Sequence, residues 1–231
     1  MKAMLKKIRK WTRPSFLKVV AEINRIRSIP RFQQGSTMIL GKKLLFTDSD
    51  SFIQSYHEIF EQQVYLFHAD SSRPLIIDCG SNIGLSILFF KRCFPAARII
   101  GFEPDPGLFE LLQANLNQFG LTDVEVHQKA VLDVPQSVIF SSQGGSSGHL
   151  DDNREGANQV SIPVEAVALH PFITEPVDLL KIDIEGAEFR VLTSLTSHLH
   201  LVRRLFVEYH SMVGKAQELD QLLSLLRNAG F

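Results

Sequence analysis

The stretch Ile76-Ile77-Asp78-Cys79-Gly80-Ser81-Asn82-Ile83-Gly84 decides the fold. Leu75–Asp78 is a short apolar run closed by an acid. A glycine-containing turn follows, and then an apolar helix over Ile83–Phe94 that Pro95 stops. Glycine lets the backbone turn sharply and lets a ligand come close to it. A strand, a glycine turn and a helix start are the first unit of a parallel sheet. In open sheets of that kind the ligand sits beyond the carboxyl ends of the strands.

The same rhythm continues downstream. Arg98–Glu103 reads as the second strand. Pro106–Phe119 reads as the next helix, with Leu108, Leu111, Leu112 and Leu116 on one face and Gly120 at its end. Val124–Val131 reads as the third strand. Alternating strands and helices predict an α/β, doubly wound, mostly parallel sheet with right-handed crossovers. Ser137–Phe140 and Gln159–Val164 are β-like runs around a Gly-, Ser- and Asp-rich stretch, residues 141–158, so a β-hairpin insertion with a mobile tip is expected. Val177–Asp183 is the next buried strand. A helix from about Ala187 to Leu199, a strand over Arg204–Glu208 and a helix over Ala216–Ala229 complete the pattern. Upstream, Ser51 is read as an N-cap, and Phe52, Tyr56, Ile59, Phe60 and Val64 recur at helical spacing behind it.

The chain has 231 residues, enough for one good-sized domain with its own core. Its net charge of −1 argues against a generic nucleic-acid binder. Two cysteines, Cys79 and Cys93, exclude a disulfide framework and a Cys-rich zinc site, and a reducing, cytoplasmic setting fits. No apolar run approaches the roughly 20 residues that span a bilayer. The charge hides an asymmetry. Residues 1–31 hold ten Lys/Arg against Glu22 alone, a net +9, and the remaining 200 are −10. Leu5, Ile8, Trp11, Phe16, Leu17, Val20 and Ile23 recur there at spacings near three and four. The division expected is a basic amphipathic N-terminal helical arm, 1–45, before a domain over 46–231. The arm packs on its own acidic domain or, as an alternative, on an anionic membrane surface.

The turn after the first strand also speaks to the ligand. Glu103 closes the second strand 25 residues after Asp78, where an acid can accept both hydroxyls of an adenosine ribose. Yet Asn82 stands where a dinucleotide fingerprint has glycine, and Asp78 would repel a pyrophosphate. A phosphate-free ligand with a positive amino group fits better, and S-adenosylmethionine is such a ligand. At this point the chain resembles a class I, Rossmann-like S-adenosylmethionine-dependent methyltransferase of the FkbM family. The matching blocks are IIDCGSNIG, GFEPDP, KAV, DLLKIDIEGAEFRVL and FVEYH, spread over residues 75–210. The resemblance implies that Asp78, Gly80, Ser81, Asn82 and Gly84 hold the methionine end. It implies that Glu103 and Pro104 hold the ribose and adenine, with Lys129, Ala130 and Val131 at the adenine edge.

The KIDIEGAE block places Lys181, Asp183 and Glu185 at alternating positions, on one face of a strand. Ionisable residues on a central parallel strand are costly unless they reach a site at its carboxyl end. Glu188 follows in a first helical turn, where an acid suits the dipole, and the next strand closes with Glu208-Tyr209-His210. Asp183, Glu185 and His210 are the candidate catalytic residues, with Asp183 also facing the cofactor. His210, with an ordinary pKa near 6.5, is a candidate base; so is Asp183 or Glu185 with a raised pKa. A satisfied ion-pair network around Lys181 is the competing structural reading. A divalent cation such as Mg²⁺ is the less favoured alternative, and no metal site is assigned. Tyr56, Glu58 and Tyr65 are candidates to close over the cofactor.

The expected function is O-methylation of a hydroxyl on a sugar, glycolipid or small natural product. The rivals are N- or C-methylation of protein or RNA, and a non-catalytic cofactor-binding module. The D-I-E-G after the fourth strand counts against nitrogen, which favours an N/D-P-P-Y/F tetrad there. Methyltransferases of this class finish with a two-stranded hairpin, and this chain stops at Asn228-Ala229-Gly230-Phe231, so the sheet is expected to lack that hairpin and expose its fifth strand.

Overall fold

The structure, a computed structural model, describes residues 16–142, 148–150, 160–211, 214 and 216–231. Residues 1–15 of the expected arm and most of the glycine-rich stretch within 141–158 lie outside the described residues.

The sheet starts at its centre. Strand β3 (Leu75–Cys79) pairs on one side with β4 (Arg98–Phe102), and β4 pairs with β5 (Glu125–His127). On its other side β3 pairs with β10 (Leu179–Ile182), and β10 with β11 (Leu205–Val207). All four pairings are parallel, in the order β11-β10-β3-β4-β5. The chain winds outward from β3 in one direction, then returns to wind the other way. The reversal lies between β3 and β10, where open sheets of this kind bind their ligands. Every residue of β3 and β10 is buried, including Asp78 and Lys181.

The connecting helices follow from local signals. Helix α3 (Leu85–Cys93) follows Gly84, and α4 (Pro106–Phe119) has Asp105 as its N-cap, accepting from the Gly107 and Leu108 amides. Gly120 ends α4 in the left-handed region. Helices α5 (Glu188–Ser194) and α6 (Leu219–Asn228) lie within their expected ranges but are shorter. No strand follows Val207 among the described residues, and none pairs with the outer edge of β11.

One strand departs from expectation. The run Val124–Val131 is two strands, because the chain leaves the main sheet after His127. Ala130–Leu132 (β6) instead joins a second sheet with β7 (Gln136–Ser142), β8 (Gly148–Leu150) and β9 (Val160–Ala168), in the order β6-β9-β7-β8. An alternating run, Val124–His127, and an apolar one, Ala130–Leu132, look like one strand in sequence across Gln128-Lys129; the pairing partners separate them. The expected hairpin is the antiparallel β7/β9 pair.

Before the sheet, α1 (Phe16–Arg27) is followed by a small antiparallel pair, β1 (Gly35–Thr37) with β2 (Leu44–Phe46), and by α2 (Ser49–Tyr56). The N-cap of α2 is Asp48, not Ser51: the Asp48 carboxylate accepts from both the amide and the hydroxyl of Ser51. The helix runs on as a π-helical turn, His57–Gln62, and Gln63 ends it at φ 59°. Phe46, Phe52, Tyr56 and Phe60 stack in sequence along it. Ile26, Ile39 and Leu44 belong to the same core cluster as Phe90 and Leu112, so residues 26–44 contribute to the domain's own core. Among the described residues no helix is long and apolar enough to cross a membrane.

A buried amide fastens this segment to α4. Asn115 accepts from the Leu45 amide at 2.8 Å and donates to the Leu45 and Ile83 carbonyls at 3.0 and 2.9 Å. Asn115→Leu leaves three backbone groups without partners. It is expected to destabilise the fold by about 3 kcal/mol, since each buried orphan costs roughly 1–3 kcal/mol. An unchanged urea midpoint would show that water takes over all three.

Candidate active site

A cavity opens beyond the carboxyl ends of β3 and β10. Gly80, Ser81 and Asn82 line one side, Asp183, Ile184 and Glu185 another, and Ser51, Ser55, Glu58 and Ile59 of α2 and its π-helical turn a third. Gly80 is required there twice over. Its φ is +86°, and a Cβ would lie 1.9 Å from the Asp183 carbonyl oxygen. The turn is pinned from behind, with the Gly80 and Ser81 amides donating to the Phe102 carbonyl at 3.0 and 2.8 Å.

Glu103 is buried, and both its oxygens are aimed by backbone. Oε2 accepts from the Asn82 amide at 2.8 Å and Oε1 from the Asp105 amide at 2.9 Å. Burial pushes its carboxyl up to about 7. Pro104, Lys129, Ala130 and Val131 line the cavity next to it.

Asp78 and Gly84 are placed differently from expectation. Neither lines the cavity. Asp78 is fully buried, with Oδ2 accepting from the Ser86 hydroxyl at 2.5 Å and Oδ1 3.2 Å from Lys181 Nζ. It acts on the cavity through Lys181 and Ser86, which line it, because β3 carries its side chain beneath the glycine turn. Lys181 in turn donates to the Gly80 carbonyl at 3.0 Å, lies 3.3 Å from Asp183 Oδ2 and sits over the Tyr65 ring. Burial opposes its charge, but Asp78 and Asp183 hold its pKa well above the ordinary lysine value. Gly84 is a packing residue, whose added Cβ would meet Leu112 Cδ1 at 2.7 Å.

The acidic residues gather as the strand spacing implies. Glu185 lies at φ +57° and is followed by Gly186 at φ +109°. Glu188 does not spend its charge on solvent at the helix start. It is 1% exposed, and its Oε1 accepts from the Gly186 amide and from His210 Nδ1–H, both at 2.9 Å. His210 Nε2 is 3.6 Å from Glu185, 3.8 Å from Glu208 and 4.0 Å from Asp183. Asp183, Glu185 and Glu208 line the cavity and His210 stands behind them. The hydrogen bond to Glu188 outweighs burial and, with the other carboxylates, pushes His210 up to about 9. An imidazole that keeps its proton to that pH is better suited to balance the surrounding carboxylates than to take a proton at neutral pH. Burial and the neighbouring carboxylates raise Glu185 and Glu208. Single ligand atoms of Asp183, Glu208 and His210 lie within 4.8 Å of one another.

Tyr65 and Glu58 line the cavity, whereas Tyr56 belongs to the aromatic stack. Sequence reading missed Ser86 and Asn115. Asn115 left a signal, a polar residue on the apolar stripe of Leu108, Leu111, Leu112 and Leu116; Ser86 left none.

The methyltransferase FkbM domain model matches residues 78–231. The chain belongs to the FkbM methyltransferase family. Among its relatives are methyltransferase sdnD of Sordaria araneosa, 30% identical over 73% of this chain and 78% of that protein, and 31-O-demethyl-FK506 methyltransferase FkbM of Streptomyces tacrolimicus, 28% identical over 76% and 80%. A third is the hexuronic acid methyltransferase AglP of Haloferax volcanii, 26% identical over 74% of each. The crystal structure of methyltransferase FkbM from Methylobacillus flagellatus shares the fold, with a TM-score of 0.53 and 18% identity over 74% of this chain; the chain spans 41% of that one.

An FkbM methyltransferase is an enzyme that takes its methyl group from S-adenosylmethionine. The side-chain-free surface at Gly80 and the aimed carboxylate of Glu103 fit that cofactor. Two outcomes follow from the geometry. Gly80→Ala is expected to cost about 3 kcal/mol in a urea melt, from overpacking and backbone strain together. Gly120→Ala, also left-handed but in open space, costs about 1 kcal/mol. For His210 the folded pKa lies above the unfolded value, so its contribution to stability is complete below about pH 6.5 and is lost as pH rises through 9. An imidazole NMR titration should centre near 9; a midpoint near 6.5 would refute the clustered geometry.

Proposed function

We propose that this methyltransferase methylates a hydroxyl on a sugar, glycolipid or small natural product. The observation that carries the proposal is the Glu185 carboxylate, raised in pKa, at the cavity wall beside the loop that abuts Gly80. A hydroxyl acceptor needs a base, and the carboxylate best suited is one whose pKa has moved toward the working pH. Asp183 is engaged by Lys181, and His210 is already protonated, so Glu185 is the base in this reading. The names of the relatives in Streptomyces and Haloferax, one acting on an O-demethyl compound and one on a hexuronic acid, support oxygen as the nucleophile. D-I-E-G after β10, rather than an N/D-P-P-Y/F tetrad, supports it as well.

S-adenosylmethionine supplies an electrophilic methyl group on a sulfonium. The chain's own residues divide the remaining work. Glu103 would accept the ribose hydroxyls, with Pro104 and Ala130 beside the adenine. Gly80, Ser81, Asn82 and Asp183 would hold the methionine end, and Asp78 would act by fixing Lys181. Aligning the acceptor oxygen supplies a large part of the rate; the acceptor proton passes to Glu185. The imidazolium of His210 offsets part of the charge of Asp183, Glu185 and Glu208. No divalent cation enters this reading, and turnover is expected to withstand EDTA. The catalytic domain in this reading extends upstream of residue 46, because Ile26, Ile39 and Leu44 share its core.

Isothermal titration with S-adenosylmethionine should show binding, weakened at least about 10-fold by Glu103→Ala, the loss of roughly one charge-assisted hydrogen bond. Affinity should rise with pH through about 7, because only ionised Glu103 can accept at both oxygens with charge-assisted hydrogen bonds. Glu185→Gln should bind the cofactor normally but lose transfer of labelled methyl into a fractionated lysate. Full transfer by that variant removes Glu185 as base. Tight cofactor binding with no transfer into any fraction favours a binding module.

A further inference from the structure

Glu188 is a buried charge beside the cavity to which the proposed reaction gives no role. A first-turn acid serves a helix dipole just as well from the surface, where it costs nothing in desolvation. This one is 1% exposed and turned away from solvent. Burying a carboxylate is expensive, and pairing it with a cation inside a protein recovers that cost only in good geometry. The geometry here is specific. A single oxygen, Oε1, receives the Gly186 amide and His210 Nδ1–H, each at 2.9 Å.

Those two donors belong to separate elements. Gly186 closes the turn in which Glu185 is held at φ +57°, a conformation that side chains other than glycine adopt at a cost. His210 lies beyond β11, across the cavity's edge. Turning Nδ1 toward Glu188 directs Nε2 toward the Glu185, Glu208 and Asp183 carboxylates. One buried oxygen therefore ties the strained turn to the neighbouring strand end and decides which edge of the imidazole faces the acids.

We propose that Glu188 is the positioning residue of the acceptor side, fixing the Glu185–Gly186 turn and the orientation of His210 at once. It touches neither cofactor nor acceptor and acts only through these two partners. The proposal rests on the reading of Glu185 as base.

The test compares the full chain with Glu188→Gln and Glu188→Ala, using S-adenosylhomocysteine as the binding probe. Affinity for it should stay within twofold in both variants, because the cofactor side is untouched. Failure of the unaltered chain to bind it would overturn the active-site reading, which is a separate failure. Amide exchange at Gly186 should be slow in the unaltered chain and in the Gln variant, whose amide oxygen still accepts. It should accelerate at least tenfold in the Ala variant. The His210 Nδ1–H resonance should be visible in the first two and lost in the third. Methyl transfer into the labelled lysate fraction should fall at least tenfold in the Ala variant, with partial rescue in the Gln variant. Gly186 exchange and the imidazole resonance unchanged in Glu188→Ala would overturn the proposal. Equal loss of transfer in both variants, with Gly186 still protected in Gln, would show that charge rather than position is what matters. If the Ala variant does not fold, the near-isosteric Gln variant decides alone: protection of Gly186 lost there would also overturn the proposal.

Discussion

The site is assembled around one buried ammonium. Lys181 lies in the middle of the sheet at the point where the winding reverses, and its Nζ meets Asp78, Asp183 and the Gly80 carbonyl. A cation in that position would be intolerable alone. Asp78 comes from the neighbouring strand and Asp183 from the end of the lysine's own, so the cross-strand pair holds only when β3 and β10 are in register, Asp78 opposite Lys181. The same charge holds the glycine turn through its carbonyl. Strand register, turn position and the placement of Asp183 are thus one problem with one solution.

This arrangement explains which parts of the fold could be read from the chain. Strands and helices announced by apolar runs with terminal glycine or proline fell where expected, and Pro106–Phe119 matches to the residue. Those signals are local. Pairing is not local, and the run through Gln128-Lys129 read as continuous because an alternating half, Val124–His127, leads straight into an apolar one, Ala130–Leu132. The choice of Asp48 over Ser51 as N-cap has the same origin: both residue types suit the position, and Arg31, 17 residues earlier in the chain, holds Asp48 in place.

At the site, alternation along KIDIEGAE brought Asp183 and Glu185 together, and the parallel neighbour brought Glu208 and His210. What alternation could not tell is depth. Asp78 obeys the pattern that suits a ligand-binding acid, yet the lysine one strand away takes it first. His210 has the composition of a base, but four carboxylates around one imidazole change its chemistry. Glu188 reads as a helix-capping acid until its burial is seen. In each case the residue type was legible and its partner was not, because partners are fixed by tertiary contact.

The near-contact between Gly80 and the Asp183 carbonyl has a wider consequence. The glycine turn and the backbone of Asp183 touch with no side chain between them. If the methyl donor rests on the first and the acceptor faces the second, as proposed, their separation is in effect a gauge set by backbone and indifferent to which acceptor arrives. In that reading, acceptors of different size would be accommodated on the third wall, the helix and π-helical turn of residues 49–62, without loosening the distance over which the methyl group has to travel.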